Sequence, residues 1–187
     1  MKILLASNSP RRKELLQNLG YDFEVVSIDC DEVFPENLDA SKIAGYLSEL
    51  KSSAFRKLEI DEILITADTI VVLGNEILGK PKNPQDAKLM LQKLSENVHQ
   101  VYTAITIKTK TETITKTDVA NVFFNEISEK EIENYINNYK PFDKAGSYGI
   151  QEWLGMAKIK KIEGSFYTIM GFPTHLVYDI LKDLGQD

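Results

Sequence analysis

The feature that most constrains this chain is its alternation of short β-branched apolar runs with longer stretches whose apolar residues recur every three or four positions. Runs of the first kind fill buried strands, and the second kind make amphipathic helices. Alternating them calls for a sheet with helices packed on it. Residues 2–6, 23–28, 62–67 and 70–73 are strand-like, the last two flanking Asp68-Thr69. Residues 40–58 read as a helix with Ile43, Leu47, Leu50 and Ala54 on one stripe. Residues 84–94 read as another, with Ala87, Met90, Leu91 and Leu94 inward.

A first helix is signalled at Ser9-Pro10, with Ser9 as N-cap, Leu15, Leu16 and Leu19 on its apolar face and Gly20 as its stop. Residues 98–108 and 112–124 are Thr-rich and alternating, as in an antiparallel pair, so the sheet is expected to be mixed. Ser128 with Glu131 forms a capping box for a helix over 128–139. A last strand is expected at 159–162 and a last helix over 173–184. No repeat or low-complexity linker interrupts the 187 residues, which read as one α/β domain.

Charge and cysteine content narrow the function. Twenty-two Lys+Arg against 28 Asp+Glu leave a net charge of −6, which argues against nonspecific adhesion to nucleic acid or an anionic membrane. A small anion in a local basic pocket remains compatible with it. Cys30, the one cysteine, cannot form an internal disulfide and reads as a small buried residue in a reducing compartment. No stretch approaches the roughly 20 apolar residues of a membrane span, so a soluble, cytoplasmic protein is expected.

Four segments carry candidate chemistry. In Leu5-Ala-Ser-Asn-Ser-Pro-Arg-Arg12 a strand delivers two serines and two arginines into the first turn of a helix. That end is already positive, so Arg11 and Arg12 are locally unfavourable there unless an anion binds; otherwise they are solvated. Asp68 ends the run Ile63-Leu-Ile-Thr-Ala-Asp68 and is a candidate general base or metal ligand, or a turn-capping aspartate. Asp29, Asp31 and Glu32 form a second acidic group, of the kind that holds Mg²⁺ when not merely solvated.

Gly74-Asn-Glu-Ile-Leu-Gly79-Lys80 matches most of a phosphate-loop pattern, but Pro81 lacks both the hydroxyl and the N–H the pattern needs. A strand, Gly-Asn turn and strand make it a hairpin instead. Lys80, and Lys51 on the 40–58 helix, are either phosphate contacts or ordinary surface lysines. In Asp143-Lys-Ala-Gly-Ser-Tyr-Gly-Ile-Gln151, Gly146 and Gly149 permit close backbone approach, and Gln151 offers a donor and an acceptor to a base edge. His99 and His175 stand apart with no cysteine partners and give no zinc signal; Met90, Met156, Met170 and the aromatics read as core.

These segments, with Ala67-Asp68-Thr69, Gly79-Lys80-Pro81 and Gly164-Ser165 through Gly171-Phe-Pro173, occur in one order in which the chain resembles the Maf family of nucleoside triphosphate pyrophosphatases. The resemblance implies a mixed, elongated sheet flanked by helices, two lobes around a nucleotide cleft as in the inosine triphosphatases. It implies cleavage of a nucleoside triphosphate to monophosphate and pyrophosphate with Mg²⁺ or Mn²⁺, and a homodimer.

Residue by residue, the resemblance puts the catalytic aspartate on Asp68 and phosphate contacts on Ser7, Arg11 and Arg12. The acidic metal position falls on Glu32, acting with Asp68, and the functional lysines on Lys51 and Lys80. Arg12, Thr69 and Gln151 match the dTTP and UTP branch rather than the 7-methyl-GTP branch. Glu152-Trp153, where many members have Gly, and Phe172, where Leu is common, are departures. The alternative reading is a nucleotide-sensing regulator without catalysis, since the family takes its name from an effect on septum formation.

Overall fold

In the computed structural model, which describes residues 1–186, the apolar runs become strands of one mixed sheet. The strands are β1 (Lys2–Leu5), β2 (Phe23–Val25), β3 (Glu62–Leu73), β4 (Glu76–Leu78), β5 (Val98–Lys108), β6 (Thr113–Phe124) and β7 (Ile159–Glu163). The sheet order is β2-β1-β3-β5-β6-β7, with β4 added to β3. The helices are α1 (Pro10–Asn18), α2 (Ala40–Ala54), α3 (Pro84–Leu94), α4 (Glu129–Tyr139), α5 (Trp153–Lys158), α6 (Phe166–Met170) and α7 (Thr174–Asp183). None of the described helices is long and apolar enough to cross a membrane.

The described chain divides into two compact units. The first contains residues 1–68, 103–118 and 171–186. Its β1 lies parallel to both β2 and β3, with Ile3 opposite Phe23 and Ile63. A strand flanked on both sides in a parallel sheet is covered on both faces, which is why Ile3, Leu4 and Leu5 are apolar without alternation and buried. Leu4, Leu58 and Leu64 form a small buried cluster here, with Ala6, Val26 and Phe55 against it. Glu62 at the head of β3 accepts two hydrogen bonds from Arg56, at 2.6 and 2.7 Å, and one from the Glu59 N–H. The Arg56 bonds, helped by that backbone N–H, hold its carboxyl down at about 2.

The second unit contains residues 69–102 and 119–170. Its core joins Leu91 and Leu94 of α3, Ile132 and Tyr135 of α4, and Val122 and Phe124 of β6. The capping box of α4 is present, Ser128 and Glu131 each bonding the other's backbone N–H.

Several boundaries differ from the sequence reading, each for a physical reason. β3 runs unbroken through Asp68-Thr69 for 12 residues, so Asp68 lies within a strand rather than at its end. The 40–58 helix stops at Ala54 because Phe55 turns to extended backbone. Its buried face is Ile43, Ala44, Leu47, Ser48 and Ser52, rotated away from Leu50 and Ala54. β2 ends at Val25, three residues short of the expected end. Two short helices, α5 and α6, fall in stretches where no periodicity is legible. Met156 is 73% exposed and therefore not core. Cys30 is only partly buried.

Candidate active site

The first unit brings five of the expected residues together at one break in strand pairing. β1 pairs with β3 only as far as Leu5 opposite Ile65, and Ala6 N–H then donates to the Ile65 carbonyl at 2.9 Å. Pairing of β3 with β4 begins only at Val71, opposite Leu78. Ala67, two residues beyond Ile65, presents its carbonyl toward the same edge, since strand carbonyls alternate with period two. Arg12 supplies the missing donor: its Nη1 lies 2.9 Å from the Ala67 oxygen.

Arg12 makes two further bonds. Its Nε donates to the Gly171 carbonyl at 2.8 Å, and Nη1 reaches Ser7 Oγ at 3.5 Å. Ser7, 9% exposed, also accepts from the Ser9 N–H at 3.2 Å, which folds the loop between β1 and α1. The Ser9 side chain makes no capping bond to the first turn of α1. Burial pulls the Arg12 guanidinium below its ordinary pKa; Asp68 and Glu32 oppose that shift, and the neighbouring charge of Arg11 adds to it. The arginine-bearing first turn of α1 is thus held in place by the Ala67 and Gly171 carbonyls.

Lys51 reaches Asp68 from α2. Ser48 and Lys51 are one helical turn apart, about 4.5 Å along the axis, while Thr66 and Asp68 share one face of β3 about 6.6 Å apart. The helix lies on that face: Thr66 Oγ1 donates to the Ser48 carbonyl at 2.7 Å, and Lys51 Nζ donates to Asp68 Oδ1 at 2.5 Å. The same Nζ is 3.0 Å from Glu32 Oε1. Side-chain exposures are 15% for Lys51, 10% for Asp68 and 48% for Glu32, so the Asp68 pair is sheltered and Glu32 forms its open rim.

Residues 2–184 match the family profile described as "Maf-like protein". A dTTP/UTP pyrophosphatase of Flavobacterium psychrophilum is 51% identical over 95% of this chain and 91% of its own length. Others so named, from Flavobacterium johnsoniae and Porphyromonas gingivalis, are 47% and 46% identical over 98% and 99% of this chain, each covered over 95%. The chain belongs to the Maf family.

The remaining Maf positions lie in the second unit. Thr69 follows Asp68 on β3, so the two side chains leave opposite faces of the strand. Lys80 is exposed just after β4, beside an open groove of about 560 Å³ that Asn83, Asp86 and Met90 also line. The hairpin reading of that segment holds, with β3 and β4 antiparallel across Gly74. Gln151 is exposed at the end of a loop whose residues 146–150 are all buried.

Whether a Maf-type divalent metal suits these residues can be judged from the donors. Glu32 and Asp68 both reach one ammonium, so their carboxylates converge on a single point with oxygen donors only. Among the described residues, no group of three or more His, Cys, Asp or Glu is placed to hold a metal. Two carboxylates fit Mg²⁺ when substrate phosphates and water complete its shell, the usual arrangement for that ion. The Arg56–Glu62 pair and the Tyr135–Glu152 bond, considered below, are interactions that the sequence reading did not single out.

Proposed function

We propose that this chain hydrolyses dTTP and UTP to the monophosphate and pyrophosphate, using a divalent metal. The observation that carries the reading is the convergence of Lys51, Glu32 and Asp68 beside the arginine-bearing start of α1. Hydrolysis of this kind depends mainly on placing charge around the phosphates, and the site offers three cations and two carboxylates.

In this proposal Arg11, Arg12, Lys51 and Lys80 neutralise the triphosphate, and Ser7 donates to a phosphate oxygen. Glu32 and Asp68 hold the metal, whose chemistry when bound is to offset charge on the phosphate oxygens. Asp68 takes the proton from the water that attacks the α-phosphorus. Gln151 accepts from pyrimidine N3–H and donates to a ring carbonyl, while Thr69 and Arg12 complete the preference for uracil and thymine. A site that hydrogen-bonds its base discriminates strongly, because a mismatched base leaves polar groups unpaired. A cytoplasmic homodimer belongs to the same proposal, its mass testable by sedimentation.

Pyrophosphate release from UTP, dTTP, CTP, GTP and 7-methyl-GTP, with Mg²⁺, Mn²⁺ or EDTA, tests the reading. Metal-dependent release confined to UTP and dTTP supports it. Activity on 7-methyl-GTP alone overturns the base assignment. Nucleotide binding with no release on any substrate favours the regulatory alternative.

A further inference from the structure

A second polar cluster, within the second unit, lies against the loop that ends in Gln151. Tyr135 of α4 is fully buried, and its hydroxyl accepts from the Gly149 N–H at 3.0 Å while donating to the Glu152 carboxylate. Lys144, only 8% exposed, brings Nζ to 3.1 Å from Glu152 Oε1 and 2.7 Å from Asp143 Oδ1. A Cβ on residue 149 would stand 2.8 Å from the Glu152 carboxyl carbon, so a side chain there would push the carboxylate from its present place. The Glu152 N–H returns to the Gly149 carbonyl at 3.1 Å. Residues 149 and 152 are therefore tied to each other and to Tyr135, with Ile150 and Gln151 between them.

The chemistry of the cluster is informative because it is expensive. A sheltered carboxylate, ammonium and phenol lose hydration, and apolar side chains of similar volume would serve stability as well. Burial pushes the Tyr135 phenol upward, with the Glu152 bond adding to the shift, so the hydroxyl keeps the proton it donates. What the cluster delivers is a fixed backbone on both sides of Gln151, the exposed residue at the end of a buried stretch. A hydrogen-bonding amide needs such fixing to favour one base edge.

We infer that Tyr135 and Glu152, braced by Lys144, are positioning residues that hold Gln151 in register for the base of the nucleotide. The inference rests on the reading of Gln151 as the base contact. Neither residue touches substrate in this scheme; each acts through the 149–152 backbone.

The test is a double-mutant cycle in the affinity for the α,β-imido analogue of UTP with Mg²⁺, with thermal unfolding followed in parallel. Tyr135→Phe and Glu152→Gln should each weaken binding about tenfold, the scale of a modest misplacement of a binding group. In a Gln151→Ala background the same substitutions should change affinity by less than about twofold, because coupled residues do not add. Equal losses in both backgrounds would make the cluster purely structural and overturn the inference, as would no loss in either. If Gln151→Ala itself binds as tightly as wild type, the base contact is wrong and the inference falls with it. If wild type does not bind the analogue, the nucleotide reading is what fails.

Discussion

Lys51 Nζ lies 2.5 Å from Asp68 Oδ1, so the expected base of the reaction is paired to a lysine 17 residues earlier in the chain. With Glu32 Oε1 at 3.0 Å from the same nitrogen, one ammonium keeps two carboxylates from repelling each other. This places Lys51 where a second role is open to it: balancing the acidic pair until cations and phosphates arrive. Lys51→Met should lower kcat/KM for UTP by about 10²-fold, the usual cost of losing one group that stabilises phosphoryl charge. The same variant should bind Mn²⁺ more tightly than wild type without nucleotide, read by the free Mn²⁺ signal in electron paramagnetic resonance. Unchanged Mn²⁺ affinity would mean that the lysine and the metal do not share the carboxylates.

Asp68→Asn keeps the shape of the side chain and its bond to Lys51 in altered form, but cannot take a proton. Turnover of UTP should fall by about 10³-fold, within the range of general-base contributions, while the affinity for the imido analogue stays near wild type. Steady-state rates and titration calorimetry on the same preparation separate the two effects. A variant with near-normal turnover would remove Asp68 from the role of base.

Arg12 is engaged with the carbonyls of Ala67 and Gly171 and with Ser7, so its substitution is expected to act on the scaffold as well as on the phosphates. A lysine cannot span those acceptors with a planar fork. Arg12→Lys should therefore cost about 2–3 kcal/mol of stability in urea unfolding, the scale of losing charged hydrogen bonds to buried carbonyls. Loss of activity with no loss of stability would assign the guanidinium to substrate alone.

Much of this arrangement was legible in the sequence, and what was not has identifiable causes. Ser128 with Glu131, Gly74-Asn75 and Ser9-Pro10 are local signals, and the capping box, the hairpin and the α1 start appear where those residues stand. The continuity of β3 through Asp68 was not visible, because an acid in an apolar run reads as a boundary until its partner is known. Lys51 is that partner, brought by the packing of α2 on β3, which no short-range spacing encodes. The inward turn of Ser48 and Ser52 in place of Leu50 and Ala54 has the same origin, since β3 offers the Thr66 hydroxyl and carbonyl to Ser48. α5 spans six residues, too few for a helical period to show.

His99 gives a pH signature. It is 1% exposed, its Nε2 lies 2.7 Å from the Tyr148 hydroxyl, and its Nδ1 has no hydrogen-bond partner among the described residues. Burial lowers its pKa to about 4 from the usual 6.5, so the folded protein keeps the ring neutral. Above pH 6.5 both folded and unfolded chains are neutral and its stability contribution is full; it is lost progressively as pH falls from about 6.5 to about 4, where only the unfolded chain is protonated. The loss approaches about 3 kcal/mol at the lower limit, taking 1.36 kcal/mol per unit. Urea midpoints at pH 7 and 4.5 should separate widely for wild type and less for His99→Gln. Equal separations would mean that another group carries the acid sensitivity.

Gly155 of α5 packs directly on the loop that precedes Gln151, and an added Cβ would fall on the Ile150 carbonyl. Because the obstacle is backbone, relief requires the loop to move. Gly155→Ala should destabilise the fold by about 2–3 kcal/mol, as overpacking does, despite the better helix propensity of alanine. It should also raise KM for UTP more than it lowers kcat. A melting temperature at or above wild type would contradict the packing described.

The most direct measurement is hydrolysis of UTP with Mg²⁺ in ¹⁸O-labelled water, with the products resolved by mass spectrometry. The account predicts UMP carrying one ¹⁸O and unlabelled pyrophosphate, the result of water attacking the α-phosphorus. Label in the pyrophosphate, or release of UDP and inorganic phosphate, would contradict it.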